Sequence, residues 1–296
     1  MKKILVILFL SLTLTSCSSK KSGMSDEEIS STLRDIEFVT NKYINYDKEA
    51  KVDLLNIVYK DKKYSPKLKT SNKEELLAYL KEHKSSDYKL NWLYENFNNL
   101  TDIEQRLVGN DTDTGEFIYN GYKNNTDFKL FDGESLDLDR KTPFFLQWDN
   151  RWAYGSLADS SIAIAGCGPT SMAMVIRRFV DDKEINPKTI ADHAHEYMTG
   201  NGIAWEFFKD EGAKFGLNVF EISVDEELMI ENLRNGPLLV SVTSGYFTTS
   251  GHIIVIDSYE DGKFIINDPN SIKNTKIAWS FNDISDQLLK IWAISK

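Results

Sequence analysis

The sequence predicts an α+β protein. Helix-like patterns fill the first half of the 296-residue chain and strand-like runs fill the last third. Helices first and strands afterwards suit an antiparallel sheet with its helices segregated. Late in the chain, Tyr259-Glu260-Asp261-Gly262 is a hairpin signal, and antiparallel strands are the ones so short a turn can join. Composition agrees with a globular chain: 41% of residues are hydrophobic and 27% charged. The length supports one or two domains with a sizeable core. A formal net charge of −10 excludes the clustered basic surface that nucleic acid needs, so no nucleic-acid partner is expected.

The first residues are a targeting segment rather than part of the fold. Lys2 and Lys3 precede the apolar run ILVILFLSLTL, after which comes Leu14-Thr15-Ser16-Cys17. A basic start, a short apolar core and small residues at a cleavage site make a secretory signal peptide, too short for a membrane span. The Leu-Thr-Ser-Cys ending resembles a bacterial lipobox, which implies lipidation of Cys17 as the mature first residue. Residues 1–16 are then the signal peptide and 17–27 a polar tether. Loss of Lys2 and Lys3 takes the net charge from −10 to −12. The expected location is the extracytoplasmic face of the cell membrane, held by the lipid on Cys17.

Residues 28–140 read as a small helical region. One apolar face combines Ile29, Leu33, Ile36 and Val39. In SNKEELLAYLKEH, Ser71 and Glu74 have the spacing of a capping box. YKLNWLYENF is a third helical pattern. The stretch from Gly109 to Thr142 is polar, with many Asp, Asn and Gly turn signals.

Residues 141–296 form the second domain. PFFLQWDNRWAYGSL is rich in aromatics. GCGPTSMAMVIRRFV turns into a helix with Met172, Val175, Ile176 and Phe179 on one face. Helical stretches near 187–198 and 203–215 follow. The strand-like runs are LNVFEIS, PLLVSV, SGHIIVIDSY, KFIIND, KIAWS and KIWAIS.

Cysteine usage points to chemistry. The chain has two Cys. With Cys17 lipidated, Cys167 has no disulfide partner in an oxidising compartment, and is either an inert buried residue or a reactive thiol. Pro169 fits the first turn of a helix, which puts Cys167 at its N-terminus. Free backbone N–H groups and the helix dipole favour thiolate there. The flanking Gly166 and Gly168 leave room for a substrate backbone.

A thiol nucleophile needs a base, and the four His are candidates. His83 lies in a charged helix and reads as solvated. His193 and His195 point to different helix faces and make a poor metal pair, so no metal is expected. His252 leads the apolar strand GHIIVI, where a polar ring must find partners. An orienter for it lies past the hairpin. A two-residue loop at Asp261-Gly262 puts Asn267 on the face of His252, whereas a three-residue loop over 260–262 puts Asp268 there. Either residue type can orient an imidazole.

QWDNRWAYGSL, GCGPTSMAMVI and SGHIIVIDSYEDGKFIINDP together resemble family thirty-nine of the cysteine peptidases. These papain-like enzymes are related to the proteases that remove double-glycine leaders from bacteriocins. The sequence is more similar to the stand-alone exported branch than to the transporter-fused one. The resemblance covers about residues 142–296; EFIYNGYKNN also resembles the leading region of stand-alone members. It implies a papain-like fold with the nucleophile at a helix start and His and Asp on an antiparallel sheet, preceded here by the helical region. It also implies Cys167 as nucleophile, His252 as base and Asp268 as orienter, with Asn267 the alternative. Papain-like enzymes carry an oxyanion Gln shortly before the Cys, six residues upstream in transporter-fused members. That position here is Ser161, and the nearest upstream Gln is Gln147. An insertion, YGSLADSSIAIA, would separate Gln147 from Cys167 in sequence but not in space.

The expected function is therefore cysteine peptidase activity on a peptide or protein substrate, through an acyl-enzyme, with no cofactor. Cell-wall peptide hydrolysis or transamidation would use the same residues. A catalytically inactive lipoprotein binding module is the non-enzymatic alternative.

Overall fold

The computed structural model describes residue 59 and residues 62–85, 88–127, 133–200 and 202–296. The signal peptide, Cys17, the tether and the Ile29–Val39 pattern lie outside the described residues. Among the described residues, no helix is long and apolar enough to cross a membrane.

Among the described residues after Tyr59, four α-helices lead: α1 (Lys73–His83), α2 (Tyr88–Asn96), α3 (Asp102–Asn110) and α4 (Gly115–Tyr122). The cap of α1 is Asn72 rather than Ser71; its side chain accepts from the backbone N–H of Glu74 and of Glu75. Asn caps a helix as well as Ser, and Thr70 holds the turn by accepting from the N–H of Asn72 at 3.0 Å. A capping box occurs at α3 instead, between Thr101 and Glu104. The α4 helix lies inside the polar stretch read as turns. It buries Phe117 and Ile118, and a Cβ on Gly115 would come within 2.4 Å of Leu93, so glycine lets α4 press onto α2.

The second half is built on α5 (Cys167–Phe179), α6 (Pro187–Ala194), α7 (Glu206–Lys214) and α8 (Glu226–Leu233). Its sheet has six strands: β1 (Asn218–Ile222), β2 (Leu238–Val242), β3 (His252–Glu260), β4 (Lys263–Asn267), β5 (Ala278–Trp279) and β6 (Leu288–Ser295). Their order is β1-β6-β2-β3-β4-β5, and every pairing is antiparallel.

Both faces of the sheet are covered, which explains the unbroken apolar run of β3. Ile253 and Val255 face one core with α5, and Ile254 and Ile256 face the other with Met229 and Leu233 of α8. The first core is continuous from Leu76, Leu93 and Phe117 of the helical region to Val175 and Trp292. The N-terminal helices and the sheet domain therefore share one hydrophobic interior.

The hairpin between β3 and β4 contains both registers open to the sequence. Beside the turn, Glu260 pairs with Lys263 and Ser258 with Ile265. Further along, Ile256 pairs with Ile266 and Val255 with Asn267. Asp257 is the extra residue, a β-bulge that advances the register by one and moves Asp268 to the face of His252. The bulged carboxylate is buried; it accepts from the Thr142 N–H at 2.8 Å and faces Arg178 at 3.3 Å.

Candidate active site

Cys167 is the first residue of α5, half-buried, with Pro169 in the same turn. Gly166 and Gly168 make room for the protein's own chain rather than for a substrate. A Cβ on Gly166 would lie 2.3 Å from the Ile162 carbonyl oxygen, and one on Gly168 would lie 2.8 Å from the Ile203 side chain.

His252 opens β3 and is buried. Its Nε2 lies 2.8 Å from Oδ1 of Asp268. The Cys167 thiol acts electrostatically on the same ring, and with Nε2 on the carboxylate the nitrogen left for sulfur is Nδ1. Burial pulls the pKa of His252 down. The Asp268 charge and hydrogen bond, and then Cys167, outweigh it and push the imidazole up to about 10. Burial raises the thiol, but the hydrogen bond from His252, its charge, and the N–H groups of Ile253 and Gly168 bring it below its ordinary value. These opposite shifts favour the thiolate–imidazolium form of the pair over the neutral one.

Asp268 is fully buried just past the end of β4. Its Oδ1 also accepts from the Asn270 N–H at 2.9 Å, and Oδ2 accepts from the Asn274 side chain at 2.8 Å. Its own N–H is bound to Thr275 Oγ1 at 2.9 Å. Asn267 is occupied elsewhere: it pairs with Val255, accepts from Arg140 at 2.5 Å, and donates to the Thr142 carbonyl at 3.0 Å.

Gln147 is buried between the two arms of the site. Its N–H donates to Pro269 O at 2.8 Å, beside Asp268. Its side-chain Nε2 donates to Ala163 O at 2.7 Å, in the one-turn helix Ile162–Ala165 that leads into Cys167. Its Oε1 is buried without a partner.

The other histidines lie apart from one another. His83 bonds to Tyr79 O at 2.8 Å and stacks on that ring, rather than standing in solvent. His193 meets buried Glu211 at 2.7 Å, and His195 accepts from the Ala158 N–H at 3.2 Å. Among the described residues, no three His, Cys, Asp or Glu side chains group as a metal site.

Sequence reasoning missed Asn274, whose side chain donates to Asp268. A cluster of polar residues straight after a strand, as in NDPNSIKNT, is the signal that flags it.

The chain matches the family model described as Peptidase C39-like family over residues 140–296, just over half of its length. Similar solved structures include the peptidase domain of Streptococcus ComA, a bifunctional ABC transporter involved in a quorum-sensing pathway. It is 20% identical, with 44% of this chain and 89% of that chain covered and a TM-score of 0.35. A putative C39-like peptidase from Bacillus anthracis is 13% identical, with 52% of this chain and 95% of that chain covered and a TM-score of 0.34. No curated protein matches. From Arg140, whose guanidinium ties the start of the matched segment to β4, through the helix-borne thiol to the last strand, the chain belongs to the Peptidase C39-like family.

Proposed function

We propose that the protein is a cysteine peptidase that hydrolyses peptide amide bonds through an acyl-enzyme on Cys167. The observation that carries this reading is a thiol at a helix N-terminus whose pKa is lowered by a buried imidazole that Asp268 holds at 2.8 Å.

In the reaction, the Cys167 thiolate attacks the scissile carbonyl carbon. The oxyanion is met by backbone N–H groups at the start of α5 and by Gln147, whose amide has a second N–H beyond the one on Ala163. The tetrahedral adduct collapses as His252 gives its proton to the leaving amine, which departs as the new N-terminus. Neutral His252 then takes a proton from water, whose oxygen attacks the thioester. The acyl group leaves as a carboxylic acid, and the thiolate–imidazolium pair is restored. Asp268 fixes the ring's orientation and supports its charge throughout.

Labelling with a peptide carrying a thiol-reactive warhead tests this. Wild type is expected to label far faster than Cys167→Ala and His252→Ala. Equal labelling of wild type and Cys167→Ala would point to an inactive binding module. Product analysis with a peptide library and with peptidoglycan separates a protein or peptide substrate from a cell-wall one.

The same reading includes export and lipid attachment at Cys17, supported by the apolar leader and the Leu-Thr-Ser-Cys sequence. Metabolic labelling with a palmitate analogue, lost in Cys17→Ala, tests the anchor. Protease accessibility on whole cells tests the side of the membrane. Label retained by Cys17→Ala would remove it.

A further inference from the structure

We infer that Asp111, on the N-terminal helical region, is a positioning residue for the Asp268–His252 pair and acts through the turn Ser271–Asn274. The inference rests on the Cys167–His252–Asp268 reading above and assigns part of the site to a segment outside residues 140–296.

The connection is a continuous series of hydrogen bonds. Asp111 follows the last turn of α3 and is buried. Its Oδ2 accepts from Ser271 Oγ at 2.5 Å, and its Oδ1 accepts from Lys273 Nζ at 2.9 Å. The same Ser271 Oγ accepts from the Asn274 N–H at 3.1 Å. Asn274 then donates its side-chain amide to Asp268 Oδ2 at 2.8 Å, and Asp268 Oδ1 meets His252. The step from Asp111 to Ser271 crosses 160 residues of sequence. It fixes the rotamer of a hydroxyl whose other duty is to cap the one-turn helix Ile272–Thr275.

A second tether holds the other arm. Asn110 accepts from the Thr249 N–H at 2.9 Å, three residues before His252. Lys69 donates its backbone N–H to Gly245 O at 2.9 Å. The helical region thus grips both loops that deliver the imidazole and its carboxylate. The charged groups around Asp111 are Lys273, Asp113 at 3.2 Å from Lys273, and Lys69, whose ammonium feels Asp111, Asp268, Lys273 and Asp113. A catalytic ring must be held to a fraction of an ångström to be productive. A brace from a second segment adds to the rigidity of a turn that is itself buried.

The test is the pH profile of Cys167 alkylation by iodoacetamide, measured on the full chain for wild type, Asp111→Asn and Ser271→Ala. Loosening Asp268 weakens its hold on His252, so the imidazolium loses its proton earlier and the thiol gains one earlier. Both variants are expected to move the acid limb of this profile up by about one pH unit. At a pH below both inflections that is about a tenfold slower alkylation. A purely structural role would lower the folded fraction and leave the acid limb in place. Ser271→Ala keeps Lys273 paired with Asp111, so it carries the test if Asp111→Asn does not fold. A wild-type acid limb in a folded variant would overturn the inference. If wild type itself reacts as an ordinary thiol with a single inflection near 8.5, the Cys–His pair is absent and the underlying reading fails instead.

Discussion

Asn274 and Asp268 are joined side chain to side chain at 2.8 Å, on the carboxylate oxygen opposite the one that meets His252. Asp268 is fully buried, so each partner it loses leaves a desolvated oxygen.

Asn274→Ala is expected to destabilise the fold by about 1–3 kcal/mol and to slow turnover more than it weakens substrate binding. The side chain also donates to Tyr246 O at 3.0 Å, so part of the stability cost belongs to that loop. Asn274→Asp is the sharper variant. It sets a second carboxyl beside Asp268, and two carboxylates so close cannot both ionise. Its activity should fall as pH rises through the range where the second proton leaves. A flat kcat profile for Asn274→Asp would show that this contact does not reach the ring.

The two candidate orienters can be told apart by what their loss disturbs. Asp268→Ala is expected to lower kcat by about 10³–10⁴, because the ring loses both its charge partner and its orienter. Asn267→Ala should act on stability instead, by about 1–3 kcal/mol, since Arg140 and the Thr142 carbonyl lose their buried partner. Thermal unfolding and alkylation rates on both variants check this. A large loss of thiol reactivity in folded Asn267→Ala would reverse the assignment.

The thiolate–imidazolium pair has a defined pH window. His252 binds its proton more tightly in the folded state, with its pKa raised from 6.5 to about 10. Its contribution to stability is therefore fully present below about 6.5 and is lost as pH rises towards 10. The depressed thiol works in the opposite sense, contributing above its unfolded pKa and losing that contribution as pH falls through its folded one. Alkylation of wild type should stay fast well below the ordinary thiol pKa of about 8.5, and amide hydrolysis should fail above about 10 as the leaving-group acid disappears. In His252→Ala the remaining burial raises the thiol, so rapid alkylation should retreat to pH 8.5 or higher. Between about pH 6.5 and 8.5, the two ordinary pKa values, these contributions offset each other, so the gap in melting temperature between wild type and His252→Ala should stay nearly constant there.

Much of this site was legible because its signals are local. Pro169 two residues after Cys167 marks a helix start, and an isolated His at the head of an apolar strand must be partnered. The choice between Asn267 and Asp268 was not legible, because it depends on the bulge at Asp257. That bulge is held by the Thr142 N–H and by Arg178, residues 115 and 79 positions away in the chain. The α4 helix was hidden for a different reason. Its eight residues sit among Asp, Asn and Gly, and its stability comes from packing on Leu93 rather than from propensity. Asp111 carries no local signal at all, since its partners Ser271 and Lys273 lie 160 and 162 positions away in the chain.

Gln147 makes the last prediction, and its surroundings set two outcomes apart. The side chain is buried, bonded through Nε2 to Ala163 O, with Oε1 unpartnered. If its second N–H stabilises the oxyanion, Gln147→Ala should lower kcat by about 10²–10³ with KM little changed, since that bond strengthens only in the transition state. Alkylation of Cys167 by iodoacetamide forms no oxyanion, so its rate and pH profile should stay as in wild type. If Gln147 only packs the start of the domain, the variant should instead lose stability and keep its kcat once folded. Gln147→Glu sharpens the contrast: it keeps the volume but puts an acceptor, and near neutral pH a negative charge, where a donor is needed. It should be at least as damaging to kcat as the alanine variant. Measuring kcat, KM and alkylation rate on the same folded samples decides between the two, because only oxyanion stabilisation separates hydrolysis from alkylation.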